Sequence, residues 1–174
     1  MKVLSEQDLQ RPRRLSARGA RSLPVEFRWQ RFSEIAHELP ALFEKHHREL
    51  WLYPDVPMDP DWDRYYALDI GGTLRVLTVR DNGILVGYLF GLFGPHLHSR
   101  NTLHAGVDML WLDPVYRQGW TGVRLFKEFL RGCEEAGAVV ANVHVRTNFA
   151  GGRVGTLLLR LGFTAIEVNY SRKV

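Results

Sequence analysis

With 174 residues, 45% of them hydrophobic, the chain is long enough for one domain with a substantial core and too short for two. No apolar run approaches the roughly 18 residues a membrane span needs, and the Arg-punctuated start lacks the apolar centre of a signal peptide, so a soluble, cytoplasmic protein with no membrane partner is expected. The single cysteine, Cys133, excludes an internal disulfide and any metal site built on several thiolates, and no metal is expected.

The net charge of +4 belongs to one end. Residues 1–21 hold Lys2, Arg11, Arg13, Arg14, Arg18 and Arg21 against Glu6 and Asp8, which leaves 17 basic and 17 acidic residues in the remainder. The chain therefore divides into a basic arm, 1–21, and a single balanced domain, 22–174. Such an arm has two readings: a contact for nucleic acid or another anionic partner through phosphate attraction, or a solvated tail.

The domain opens with a short strand at Val25 to Trp29. A helical period follows through Phe32, Ile35, Ala36, Leu39 and Phe43, and Pro40 should kink or split it. Residues 51–63, WLYPDVPMDPDWD, hold three prolines and four aspartates and read as a rigid surface loop before a short helix. Leu74 to Arg80, the turn Asp81-Asn82-Gly83, Ile84 to Phe93 and Leu103 to Leu112 read as an antiparallel meander. Val123, Phe126, Leu130 and Cys133 then share one helical face, and Gly137 ends that helix. Val139 to Val145 alternate as a strand. Val154, Leu157, Leu158 and Leu161 form a last helix closed by Gly162, and a final strand begins near Phe163.

Between the meander and the helix that follows lies DPVYRQGWTG, Asp113 to Gly122. A strand turning there into a helix presents unpaired backbone amides at the positive end of the helix dipole. Gly119 and Gly122 let a diphosphate approach the backbone, Thr121 adds a hydroxyl and Arg117 adds charge. Neither G-x-x-x-x-G-K nor G-x-G-x-x-G is present.

In this stretch the chain resembles the GNAT superfamily of acyl-CoA-dependent N-acetyltransferases, whose signature Q/R-x-x-G-x-G/A joins the fourth strand to the third helix. Arg117 stands at the first signature position and Gly122 at the last, while Trp120 replaces the central glycine and Gly119 offers the freedom one step earlier. The likeness runs over about residues 70–170 and takes in Thr147-Asn148 and LLRLGF at 158–163. With its His-Leu-His segment before the fourth strand, the chain looks similar to variants carried by bacteriophages. The resemblance implies an α/β fold with a mixed, mostly antiparallel sheet flanked by helices, its fourth and fifth strands splayed. It also implies acetyl-CoA as cosubstrate: Leu110 and Leu112 would meet pantetheine and the acyl carbonyl. Arg117, Gln118, Gly119, Trp120, Thr121, Gly122 and Val123 would hold the pyrophosphate, and Asn148 would meet the arm from the fifth strand. A neutral amine would attack the thioester carbon, with backbone N–H groups stabilising the oxyanion.

The acid and base are less plainly marked. Many relatives use a Tyr in the last helix to protonate the thiolate; the matching position is Leu158, which also falls on that helix's apolar face. Water or Tyr116 is left for the role. For the base, Asp108 shares strand parity with Leu110 and Leu112 if no bulge intervenes, and His104 has the same parity. Either can equally be a structural polar group.

Trp51, Tyr53, Asp55, Asp59, Asp61, Trp62, Asp63, Tyr65 and Tyr66 occupy the region that lines the acceptor cleft in such enzymes and suit a cationic amine. They can also be turn caps and core cover. DIGGT at 69–73 resembles the phosphate loop of actin-fold sugar kinases, which need two large domains; a Gly-Gly turn is the simpler reading. The sequence therefore supports an N-acetyltransferase for a primary amine, of a small molecule or a protein. Against it stands a non-catalytic module of the same fold that recruits nucleic acid or a host protein through the arm. A homodimer is compatible with either.

Overall fold

The computed structural model describes residues 25–53, 55–146 and 151–174, so the basic arm and the Thr147-Asn148 pair lie outside the described residues. Five strands form one sheet in sequence order. They are β1 (Glu26–Gln30), β2 (Leu74–Asp81), β3 (Ile84–His96), β4 (Ser99–Leu112) and β5 (Ala138–Val143). The first four are antiparallel to their neighbours, and β5 lies parallel to β4. That parallel step requires a crossover, which α4 (Thr121–Glu135) supplies.

Strand alternation sends side chains to two cores. On one face Leu77, Val79, Leu89, Ala105 and Val107 meet Leu125, Phe129 and Cys133 of α4. On the other, Leu74, Val76, Tyr88, Phe90 and Trp111 meet α1 (Phe32–Ile35) and α2 (Leu39–Leu50). Phe32, Ile35, Ala36, Leu39 and Phe43 are all buried, as their period requires, and Pro40 splits the segment: a 3-10 turn at 36–38 separates α1 from α2, with the proline in the first turn of α2. Helix α3 (Trp62–Ile70) is capped by Asp61, which accepts from the Arg64 amide at 3.0 Å. Trp62 and Tyr65 stack on Phe43 and Phe32.

DIGGT is a turn. Gly72 sits at φ 71°, while buried Asp69 accepts from the Phe32 and Ser33 amides, both at 3.2 Å, and so closes the start of α1.

Three expectations need correction. The buried stripe of α4 runs through Thr121, Leu125, Phe126, Phe129, Gly132 and Cys133; Val123 and Leu130 are only half-buried, because the helix is rotated by its contact with the sheet. Strand β5 stops at Val143 rather than Val145, and Val139 is the extra residue where the β4–β5 register shifts, with its side chain exposed. The final strand from Phe163 is not formed: α5 (Gly151–Arg160) ends at Gly162, and 163–174 has no regular structure. A strand needs a hydrogen-bonded neighbour, and the contacts of this segment among the described residues are the side-chain ones of Asn169 with His144, Ser171 with Tyr53 and Lys173 with Asp55.

Candidate functional site

Strands β4 and β5 pair only from Leu103↔Ala138 to Val107↔Val143, after which β4 continues to Leu112 without β5 beside it. At the point of parting, Phe90 faces Met109 and Gly91 faces Val107, so Asp108 is the extra residue of a β-bulge. A bulge reverses strand parity. Ala105 and Val107 before it, and Leu110 and Leu112 after it, all face the α4 core, while Met109 and Trp111 face α2. His104 therefore does not share a side with Leu110 and Leu112. Its ring stacks on His96, with centroids 4.7 Å apart, at the β3–β4 hairpin.

Asp113 donates its amide to the Val86 carbonyl at 2.9 Å, toward β3. By alternation, the N–H and C=O of Leu112 and Leu110 point the other way, to the edge that β5 has left open. The Leu112 carbonyl confirms this direction, because it accepts from Arg117 Nε at 2.6 Å.

After Leu112, Asp113 caps a 3-10 turn at Pro114–Tyr116 through the Val115 amide at 3.1 Å. Gly119 then adopts φ 76°, a conformation costly for residues with a side chain, and α4 begins at Thr121 with no side-chain cap. The next amide bonded to the chain is that of Arg124, which reaches the Trp120 carbonyl at 2.9 Å. Those of Gln118, Gly119, Trp120, Thr121, Gly122 and Val123 make no hydrogen bond of good geometry among the described residues, apart from the loose closure of the turn at 119–120. The Trp120 indole is 67% exposed, turned to solvent. Thr121 is buried, and its hydroxyl also lacks a partner among the described residues. Its side chain thus lies beneath the turn rather than on its surface.

Arg117 is placed differently from the sequence reading. Its guanidinium is paired with Glu49 of α2, NH2 to Oε2 at 2.6 Å, and Trp111 Nε1 donates to the same oxygen at 3.0 Å. The Arg117 hydrogen bond, with smaller help from Trp111, holds the Glu49 carboxyl below its usual range against partial burial. Positive charge is spent across the sheet edge instead of facing outward. Tyr116 is also committed, donating to Asp81 at 2.6 Å, which raises its pKa and ties the turn to the β2–β3 hairpin.

On the α2 side, His46 Nδ1 lies 2.7 Å from the Tyr88 hydroxyl. Burial pushes His46 down to about 4, against the pull of Glu49 and with Arg146 and Arg117 adding to the fall. Burial raises Tyr88 as well. Asp108 is open to solvent, yet the protein packed around its carboxyl raises its pKa, with His144 opposing. Its field also reaches Tyr65, whose pKa rises mainly through burial. Asp108 thus stands at the bulge beside the open edge of Leu110 and Leu112, within electrostatic reach of His144 and Tyr65.

Glu49, His46, Tyr88 and His144 were not marked as site residues by the sequence, and Tyr65 was read only as part of the acceptor-cleft loop. For His46 a signal existed: Leu39, Phe43 and His46 continue one buried helical stripe, so a polar ring sits where an apolar one is due.

The fold has well-matched counterparts among solved structures. A ribosomal-protein-alanine N-acetyltransferase from Brucella melitensis biovar Abortus 2308 aligns over 87% of this chain and 99% of its own, at 18% identity and TM-score 0.64. An aminoglycoside acetyltransferase from an uncultured soil metagenomic sample covers the same shares at 16% identity and TM-score 0.69. The chain has the GNAT acetyltransferase fold. A predicted acetyltransferase from Clostridium acetobutylicum, solved with acetyl-CoA, aligns over 86% of this chain and 96% of its own at 11% identity and TM-score 0.66. No protein-family model matches the sequence, and no curated protein does.

Proposed function

We propose that the protein is an N-acetyltransferase that moves an acetyl group from acetyl-CoA to a cationic primary amine. The observation that carries this reading is the run of unpartnered amides from Gln118 to Val123, placed where the open edge of β4 gives way to α4. Such a run at the start of a 15-residue helix suits a diphosphate. Acetyl-CoA supplies the activated acyl thioester.

The chain's own groups account for the remaining tasks. Leu110 and Leu112 offer main-chain groups to an extended pantetheine-like strand, and a β4 N–H at this edge is the donor for an oxyanion. Asp108, at the bulge, stands beside that edge with a raised pKa, which makes it the better base of the two considered; it takes the amine proton directly or through one water. His104 faces the hairpin, and Tyr116 spends its hydroxyl proton on Asp81, so neither is retained in the catalytic roles. Leu158 is buried, so water delivers the proton that the leaving thiolate needs.

For the acceptor, the loop offers exposed carboxylates at Asp59 and Asp63, and the Lys173 ammonium of the same chain already pairs with Asp55. A primary ammonium is the species this loop holds from its own tail. The test is thiol release from acetyl-CoA with a panel of diamines, polyamine-like cations and lysine peptides. Amine-dependent release that falls in Asp108→Asn supports the transferase. Acetyl-CoA binding with no release for any amine supports the non-catalytic module instead.

A further inference from the structure

Strand β1 and helix α4 run side by side in the same direction. The guanidinium of Arg124, in the first turn of α4, lies over the Phe27 ring at 4.7 Å. Farther along both elements, the Trp29 indole fills the space above Gly132, where a side chain would collide with it. Two residues of strand back from Phe27 cover about 7 Å, and one helical turn back from Arg124 covers about 5 Å. Val25, buried in the core on this face, therefore comes level with Trp120 and Thr121. The chain before Val25 joins the body beside the amides that open α4.

Charge is unevenly placed around this point. Arg117 of the cradle is bound to Glu49, and Arg124 rests on Phe27. Asp113 caps the preceding turn, and Asp81 holds Tyr116. The arm carries what the body does not: residues 1–21 hold six Lys or Arg against two acids, while 22–174 are balanced. Arg21 stands four residues before Val25 and Arg18 seven, within about 14 Å and 25 Å of it along an extended chain.

Acetyl-CoA has an anionic group besides the diphosphate, a 3′-phosphate on its ribose, with a charge of about −1.5 to −2 at neutral pH as for other phosphate monoesters. We propose that Arg18 and Arg21 of the basic arm bind this 3′-phosphate, so that the arm lies across the nucleotide end of the cofactor. Arginine suits the task, because its planar guanidinium stays charged and donates two parallel hydrogen bonds to phosphate oxygens. The same charge would suit a nucleic-acid backbone; what favours the cofactor is that the arm leaves the body beside the cradle. The proposal rests on the transferase reading and adds a specificity to it, for the 3′-phosphorylated cofactor over its dephospho form.

The test is titration calorimetry of the full chain with acetyl-CoA and with acetyl-3′-dephospho-CoA, with circular dichroism to verify that each variant is folded. The wild-type chain is expected to bind acetyl-CoA about tenfold or more tightly than the dephospho compound. The double variant Arg18→Gln with Arg21→Gln is expected to bind both compounds alike, near the wild-type affinity for the dephospho compound, because either change removes the same interaction. Lysine at both positions is expected to restore part of the preference. A wild-type chain that binds acetyl-CoA but ignores the 3′-phosphate, or a double variant that keeps the preference, overturns the proposal and leaves the cradle intact. A wild-type chain that does not bind acetyl-CoA overturns the transferase reading together with the proposal. Loss of binding to a DNA duplex in the double variant, with its preference for acetyl-CoA unchanged, assigns the arm to nucleic acid and likewise overturns the proposal.

Discussion

Thr121→Val separates stability from cofactor affinity at a single atom. The Thr121 side chain is 1% exposed, and its hydroxyl has no partner among the described residues, so the native fold carries an unsatisfied buried dipole. Valine has nearly the same shape, and removing an unpaired hydroxyl recovers a desolvation cost of about 1–3 kcal/mol. For a chain of 174 residues this corresponds to a melting temperature higher by roughly 2–4 °C for each kcal/mol gained. Acetyl-CoA binding should hardly move. A hydroxyl buried beneath the turn does not reach a phosphate held on its outer face by main-chain amides, so affinity should stay within about threefold, under about 0.7 kcal/mol. Differential scanning calorimetry and titration calorimetry measure the two effects on the same samples. A destabilised variant would show that the hydroxyl is already satisfied, and an affinity loss of about tenfold or more would show that it reaches the bound phosphate.

Gly119→Ala places a side chain at φ 76° and should cost about 1–2 kcal/mol by thermal melting, with weaker acetyl-CoA binding because the turn must shift. His46 takes up a proton near pH 6.5 when unfolded but only at about 4 in the native state. Between those values the unfolded chain holds more protons, so stability should fall as the pH is lowered, by up to about 1.4 kcal/mol per pH unit. His46→Gln, which can still bond Tyr88, should flatten that slope in urea titrations. Asp108→Asn should lower kcat by about 10²- to 10⁴-fold with little change in acetyl-CoA affinity, and the acid limb of the wild-type rate profile should lie above the ordinary aspartate range, as its raised pKa requires.

The elements set by local pattern were legible in the sequence. Phe32 to Phe43 carry a helical period, and Asn82-Gly83 form the expected tight turn, with φ values of 48° and 85°. The turn from β4 into α4 was legible for the same reason, since a glycine at positive φ and an uncapped helix start are local features. What was missed depends on residues far apart in the chain. Nothing near Asp108 marks it as a bulge, because the extra residue is defined by how β4 meets Phe90 and Gly91 of β3. That single insertion reassigns His104 to the opposite side from Leu110. Arg117 finds Glu49 across 68 positions of sequence, so its commitment could not be read from the signature that contains it. The tail has the alternation of a strand without a backbone partner among the described residues, and alternation specifies a face to be covered without saying what covers it.

The central claim is that free main-chain amides at the start of α4 grip a diphosphate. Titration calorimetry of acetyl-CoA against S-acetyl-pantetheine, which has the same reactive end and no diphosphate, tests it most directly. Micromolar binding of acetyl-CoA, with the shorter thioester weaker by about 100-fold or more, is the predicted result. Equal affinity for the two compounds, or no binding of acetyl-CoA, would contradict it.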